Sequence, residues 1–150
     1  MTEPLNYRIR QVRENDVECL ADIDAYAQRL HSAAHPDVWR EPDLAASARF
    51  FQQLLDEGNS TIVVSEASDG RPVGYALMRL VDKGETTHKY ARQVLELEHL
   101  CVAEGHEGCG HGRALLEWVE LFAQERGAEA IDLSVWGFNA FSRKMSYRIK

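Results

Sequence analysis

A single α/β domain built on a mixed, mostly antiparallel sheet is the fold this sequence predicts, and three features predict it. Two β-branched runs, residues 61–66 and 73–81, flank Asp69-Gly70, a hairpin turn signal. A long amphipathic segment, residues 113–126, lies between two later strand-like runs, which makes it a helical crossover joining parallel strands. No repeat, low-complexity tract or linker divides the 150 residues, a length that suffices for one buried core.

The elements follow in order. Residues 7–12 alternate in polarity and read as a first strand. Asn15 or Asp16 caps the next helix, where Val17, Leu20, Ile23, Ala27 and Leu30 recur at helical spacing as core positions. His35-Pro36-Asp37 breaks it. Pro42-Asp43 starts a second helix with Leu44, Ala48, Phe51 and Leu55 on one face, and Gly58-Asn59 ends it. The hairpin follows, then a polar connection over residues 82–92 and a strand over 94–102. A glycine-rich loop, residues 105–112, leads into the amphipathic helix, whose Leu115, Leu116, Val119 and Phe122 point inward and whose stop is Gly127. Residues 131–135 form another strand. The order is β-α-α-β-β-β-α-β with a short tail.

Composition narrows the functional classes. Apolar residues make up 45% and charged residues 27%, as in ordinary globular proteins. The net charge of −7 and the absence of a basic stretch exclude a nucleic-acid backbone as the expected partner and favour a cationic substrate such as an amine. The three cysteines, Cys19, Cys101 and Cys109, are odd in number and lack CxxC spacing, so neither a disulfide framework nor a zinc site is expected. With no signal-like opening and no bilayer-spanning apolar run, a cytoplasmic location and no membrane association are the expectations.

The informative motif is Gly108-Cys109-Gly110-His111-Gly112, placed between a strand and a helix. Glycines let the backbone approach an anion closely, and a helix N-terminus adds unpaired N–H groups and a positive dipole end, so the loop suits a pyrophosphate. A Walker A loop fails because Gly112 is followed by Arg113-Ala114, and a dinucleotide fingerprint fails on spacing and on its late position. Leu100-Cys101-Val102, a short turn, the glycine run and Arg113-Ala114-Leu115-Leu116, followed by Leu133-Ser134-Val135-Trp136-Gly137-Phe138-Asn139, resemble the signature of the GNAT N-acetyltransferase superfamily, and the element order fits over nearly the whole chain.

That resemblance implies an acetyl-CoA-dependent N-acetyltransferase without a metal. Backbone groups of Glu107, Gly108, Cys109, Gly110, His111 and Gly112 would bind the pyrophosphate, with Arg113 nearby and Asn139 downstream. Leu100, Cys101 and Val102 would pair with the pantetheine arm, the Cys101 N–H facing the thioester carbonyl. The acceptor amine arrives protonated, so a proton must be removed. Members of the superfamily place a base or water-holding residue at positions resembling Glu96 or Glu98, two apart on one strand face. Glu98 is the expected water-holding residue and Glu96 the second candidate, with His99 pointing to the opposite face as a structural residue. Cys101 and Cys109 are not expected nucleophiles. His31, His35, Asp37, Trp39, Tyr75 and Tyr90 are candidates to line the acceptor site.

Two departures stand out. Glu107 occupies a position where the superfamily usually has arginine or glutamine. Downstream of Asn139 the usual segment is shorter by about one helical turn, and Ser142 stands where the family has its acid tyrosine. The chain ends where a last strand would begin, and an open sheet edge suggests a homodimer. These departures support an alternative reading: a GNAT-fold module that binds CoA without catalysis.

Overall fold

The computed structural model describes residues 7–135 and 143–148. The elements are β1 (Ile9–Gln11), α1 (Val17–Ala34), α2 (Leu44–Glu57), β2 (Thr61–Glu66), β3 (Pro72–Lys83), β4 (Arg92–Val102), α3 (His111–Glu125), β5 (Ala130–Val135) and β6 (Arg143–Arg148). The strands form one sheet in the order β1-β2-β3-β4-β5-β6. Among the described strands the β4–β5 pair is parallel and the other neighbours are antiparallel, which is the mixed sheet expected. The tail differs from expectation: residues 143–148 pair with β5 from Val135↔Arg143 to Ala130↔Arg148, so a last strand does form.

Both faces of the sheet are covered. On one, Leu115, Val119 and Ala123 of α3 pack on Val63, Ala76, Met78, Leu95 and Ile131. On the other, Val17, Leu20 and Ile23 of α1 and Phe51 of α2 pack on Ile62, Val64, Tyr75 and Leu77. Double coverage explains why residues 62–65 are all buried instead of alternating. Each fully buried Leu or Phe contributes about 1.5–3 kcal/mol.

Local chemistry sets the helix ends. Asp43 accepts the Ala46 N–H at 3.1 Å and caps α2, while Gly58 closes it at φ 71°. Asp16 makes no side-chain cap on α1. Its carboxylate is used in the turn before the helix, by the Arg13 N–H at 2.7 Å and by Arg10 at 2.8 and 3.0 Å. Helix α3 begins at His111, two residues before the expected start, with Gly110 as its N-cap. The last two glycine-loop positions, His111 and Gly112, therefore belong to its first turn.

One irregularity positions the site. Along β3–β4, Met78 pairs with Leu97 and Leu77 pairs with His99, so Glu98 is an extra residue on β4, a β-bulge. The parallel ladder between β4 and β5 runs from Val94↔Ala130 to Leu97↔Leu133 and stops there. Beyond the bulge the two strands part, and the β4 edge over residues 98–102 carries no β5 pairing.

Candidate active site

A cleft of about 590 Å³ opens along this free edge. Its walls are Leu100, Cys101 and Val102 of β4, Glu107, Gly108 and Gly110 of the loop, Gly112 and Arg113 of α3, and Tyr26, Ala27, Leu30 and His31 of α1. Eight of the residues expected at a cofactor site thus share one cavity wall. Cys109 and His111 are not part of that wall, and Asn139 and Ser142 lie outside the described residues.

The cleft is lined with backbone donors. The Ala103 N–H bonds Val73 O at 2.8 Å on the β3 side. Successive N–H groups alternate sides along a strand, and no bulge interrupts residues 100–103. Hence Cys101 also directs its N–H to β3, while Leu100 and Val102 direct theirs to the open edge. This corrects the expectation for Cys101: it is Leu100 and Val102 whose N–H groups point to the edge that no described strand pairs. Gly108 (φ 74°) and Gly110 (φ 97°) turn the loop into the start of α3, where Gly112 and Arg113 line the cleft and the first N–H groups have no partner within the helix. Behind the loop, the Tyr7 hydroxyl donates to Cys109 O, and the His111 ring, buried at the base of α3, lies 2.7 Å from Ser65 Oγ through Nδ1. Burial, then the neighbouring His106, lowers the His111 pKa.

Glu107 does not stand free in the loop. The Tyr26 hydroxyl of α1 donates to its Oε1, which ties α1 to the glycine loop across the cleft. Arg113 is largely exposed and lies 3.7 Å from Glu117.

The bulge changes which side chains meet. It carries His99 to the α1/α2 face, the same side as Glu96, overturning the expectation that His99 points away from the glutamates. Glu96 lies 3.5 Å from Arg79 and 3.6 Å from Lys83, while Glu98 is exposed and lies 3.7 Å from Arg79. Neither glutamate lines the cleft. On the helix side of β4, His99 Nδ1 lies 2.8 Å from the Tyr75 hydroxyl. That hydroxyl donates to Asp24 Oδ1 at 3.4 Å, and Ser47 donates to Asp24 Oδ2 at 3.1 Å. Burial holds the His99 pKa below its ordinary value, against the opposing pull of Asp24 and Glu98. Burial also pushes the Cys101 thiol up to about 11, which keeps it protonated at neutral pH.

Of the acceptor-site candidates, His31 lines the cleft and packs against Trp39 with the rings tilted, 4.5 Å between ring centres. Tyr75 is wholly buried, and Tyr90 is exposed in the β3–β4 connection, at the far end of β4 from the cleft. Asp24 and Tyr26 went unnoticed in the sequence. The signal for Asp24 was present: a carboxylate four residues after Leu20 and three before Ala27, on the apolar stripe of a helix.

A strand parted from its parallel neighbour, free donors on its edge and a glycine loop opening a helix together match a known architecture. The family described as "Acetyltransferase (GNAT) family" matches residues 25–147. The chain belongs to the GNAT acetyltransferase family. This GNAT protein is 28% identical over 155 residues to streptothricin acetyltransferase of Streptomyces lavendulae, covering 93% of this chain and 78% of that protein. Its fold matches the tetramutant of the BH1408 protein from Bacillus halodurans with a TM-score of 0.80 and 25% identity, covering 88% and 85% of the two chains. Glucosamine-6-phosphate N-acetyltransferase from Arabidopsis thaliana shares the fold at TM-score 0.62 and 16% identity, over 89% and 85% of the chains. Among the described residues no helix is long and apolar enough to cross a membrane.

Proposed function

We propose that this GNAT protein moves an acetyl group from acetyl-CoA to a primary amine, on a small molecule or a peptide N-terminus, by direct attack on the thioester. The observation that carries the reading is the cleft itself: the edge donors of Leu100 and Val102 run into the glycine loop at the start of α3. Such a strip suits an amide-bearing arm followed by a pyrophosphate. When bound, acetyl-CoA supplies a thioester carbonyl whose carbon takes the amine lone pair as the C–S pair leaves on sulfur. The chain supplies the Leu100 N–H for the developing oxyanion and the α3 N-terminus for the phosphates. Glu107 is held by Tyr26, which lessens the repulsion expected from a carboxylate in this loop.

Proton removal is assigned to a water ordered by Glu98, with Glu96 second. Their surroundings support that ranking, because Glu96 is shared between two cations and Glu98 is paired with one. The name of the S. lavendulae relative makes streptothricin the first acceptor to try.

Thermal melting with and without acetyl-CoA, followed by CoA release across an amine panel, tests the reading. At a hundredfold excess over Kd, binding stabilises by about 2.7 kcal/mol, read as a Tm rise of about 5–10 °C. No rise at millimolar acetyl-CoA would refute the cofactor assignment. A rise without CoA release from any amine would favour the non-catalytic CoA-binding module.

A further inference from the structure

Four polar side chains from four elements converge between the helices and the sheet: Asp24 of α1, Ser47 of α2, Tyr75 of β3 and His99 of β4. Burying polar groups between helices and sheet is costly, and apolar residues would fill this space at no such cost. The arrangement has a direction. A carboxylate only accepts, so the Ser47 and Tyr75 hydroxyls both point their hydrogens at Asp24. The Tyr75 oxygen then accepts from His99 Nδ1–H, which leaves an open lone pair on Nε2.

His99 adjoins the cleft wall through its neighbours: Leu100 and Cys101 follow it on β4 and line the cleft, and His31, which also lines it, acts on the charge of the ring. Leu100, the next residue on β4, turns its N–H to the open edge, and the His99 ring stacks on Phe50 (5.9 Å) and meets Phe51 edge-on (6.4 Å), with its side chain 29% exposed. Phe50 itself is exposed. Glu98, the bulge residue, adjoins the ring. The charged and titratable groups facing His99 are Asp24 and His31 of α1, Glu98 of β4, and the buried Tyr75 and Cys101. Burial keeps the imidazole neutral at pH 7, and the two carboxylates stabilise it once a proton arrives.

We propose that His99 Nε2 is the terminal acceptor for the proton shed by the substrate ammonium, with Asp24 and Tyr75 as positioning residues that hold the ring. The assignment rests on the transferase reading above and completes it. One ammonium N–H bond breaks, and its electron pair remains on nitrogen as the attacking lone pair. The proton enters the water held by Glu98 as that water gives another to Nε2. The imidazolium returns its proton to solvent after the product leaves.

The test combines NMR of the free protein with pH–rate profiles. In the wild type the His99 imidazole titrates below 6.5, and Asp24→Asn lowers it further. His99→Asn retains an amide near Nδ1 for Tyr75, keeps acetyl-CoA binding and Tm, loses about a hundredfold in kcat, and loses the acid limb of kcat/KM. Glu98→Gln slows transfer but keeps the limb. His99→Gln replaces the asparagine variant if that variant melts early. An acid limb that survives in His99→Asn with a rate within about threefold of wild type overturns the assignment, as does a limb lost in Glu98→Gln instead. If the wild type acetylates no amine, the transferase reading falls. Independently of turnover, a His99 titration that ignores Asp24→Asn removes the relay.

Discussion

At Gly110 two constraints meet on one backbone position. Its φ of 97° lies where L side chains are strained, and a Cβ built there would stand 2.5 Å from the Tyr7 oxygen and 3.1 Å from Tyr7 Cζ. Gly110→Ala is therefore expected to distort the start of α3, at a backbone cost of about 1–3 kcal/mol. Calorimetric titration with acetyl-CoA should show at least about tenfold weaker binding, a loss of about 1.4 kcal/mol; unchanged affinity would mean that the loop tolerates another geometry. The requirement for glycine was legible from spacing. Its cause was not, because Tyr7 lies about a hundred residues away in the chain and only folding brings its ring to the loop. Glu107 is similar: a carboxylate amid glycines reads as repulsive until Tyr26 is seen to hold it.

Elements were legible to within a few residues wherever turn chemistry marks them. Strand β2 matches its expected range, and α2 begins at its Asp43 cap and ends at Gly58. Element β4 was legible as a strand but not as a bulged one, since Val-Leu-Glu-Leu-Glu alternates without interruption up to the extra residue. A bulge depends on the partner strand's register, which one strand does not encode. At the β1–α1 junction, helix entry depends on a salt-bridge cluster in place of a cap: Arg10 joins Asp16 and Glu66, all with side chains under 15% exposed. Burial pushes the Asp16 carboxyl up, but Arg10 and the Arg13 N–H outweigh it and hold the pKa below 3.8. Asp16→Ala leaves the Arg10 charge half-paired and is expected to destabilise by about 3 kcal/mol. Denaturant unfolding measures this, and a loss under about 0.5 kcal/mol would mark the pair as dispensable.

For the molecule as a whole, acid stability follows from two imidazoles, His111 buried and His99 partly so. His99 and His111 have folded pKa values lowered from 6.5. Below that value the unfolded chain binds protons that the folded chain resists, so acid favours unfolding. Their contribution is complete above pH 6.5 and fades as pH falls through the lowered folded values. Asp16 acts in the same direction at more acid pH, below 3.8. Melting curves are expected to show Tm falling between about pH 7 and pH 5, and a flat Tm across that window would contradict neutral burial of both rings.

Local signals suffice where the physics is local. Periodicity, Gly and Pro punctuation and the strand–loop–helix run let the sequence by itself determine the fold class, the glycine loop before α3 and the family resemblance, because each depends on residues close in the chain. The register between β3 and β4 was decided only in the tertiary structure, and with it the bulge at Glu98, the side on which His99 lies and the turning of Leu100 and Val102 toward the cleft. Those features arise from pairing across distant residues, where a shift of one residue exchanges the faces of the sheet.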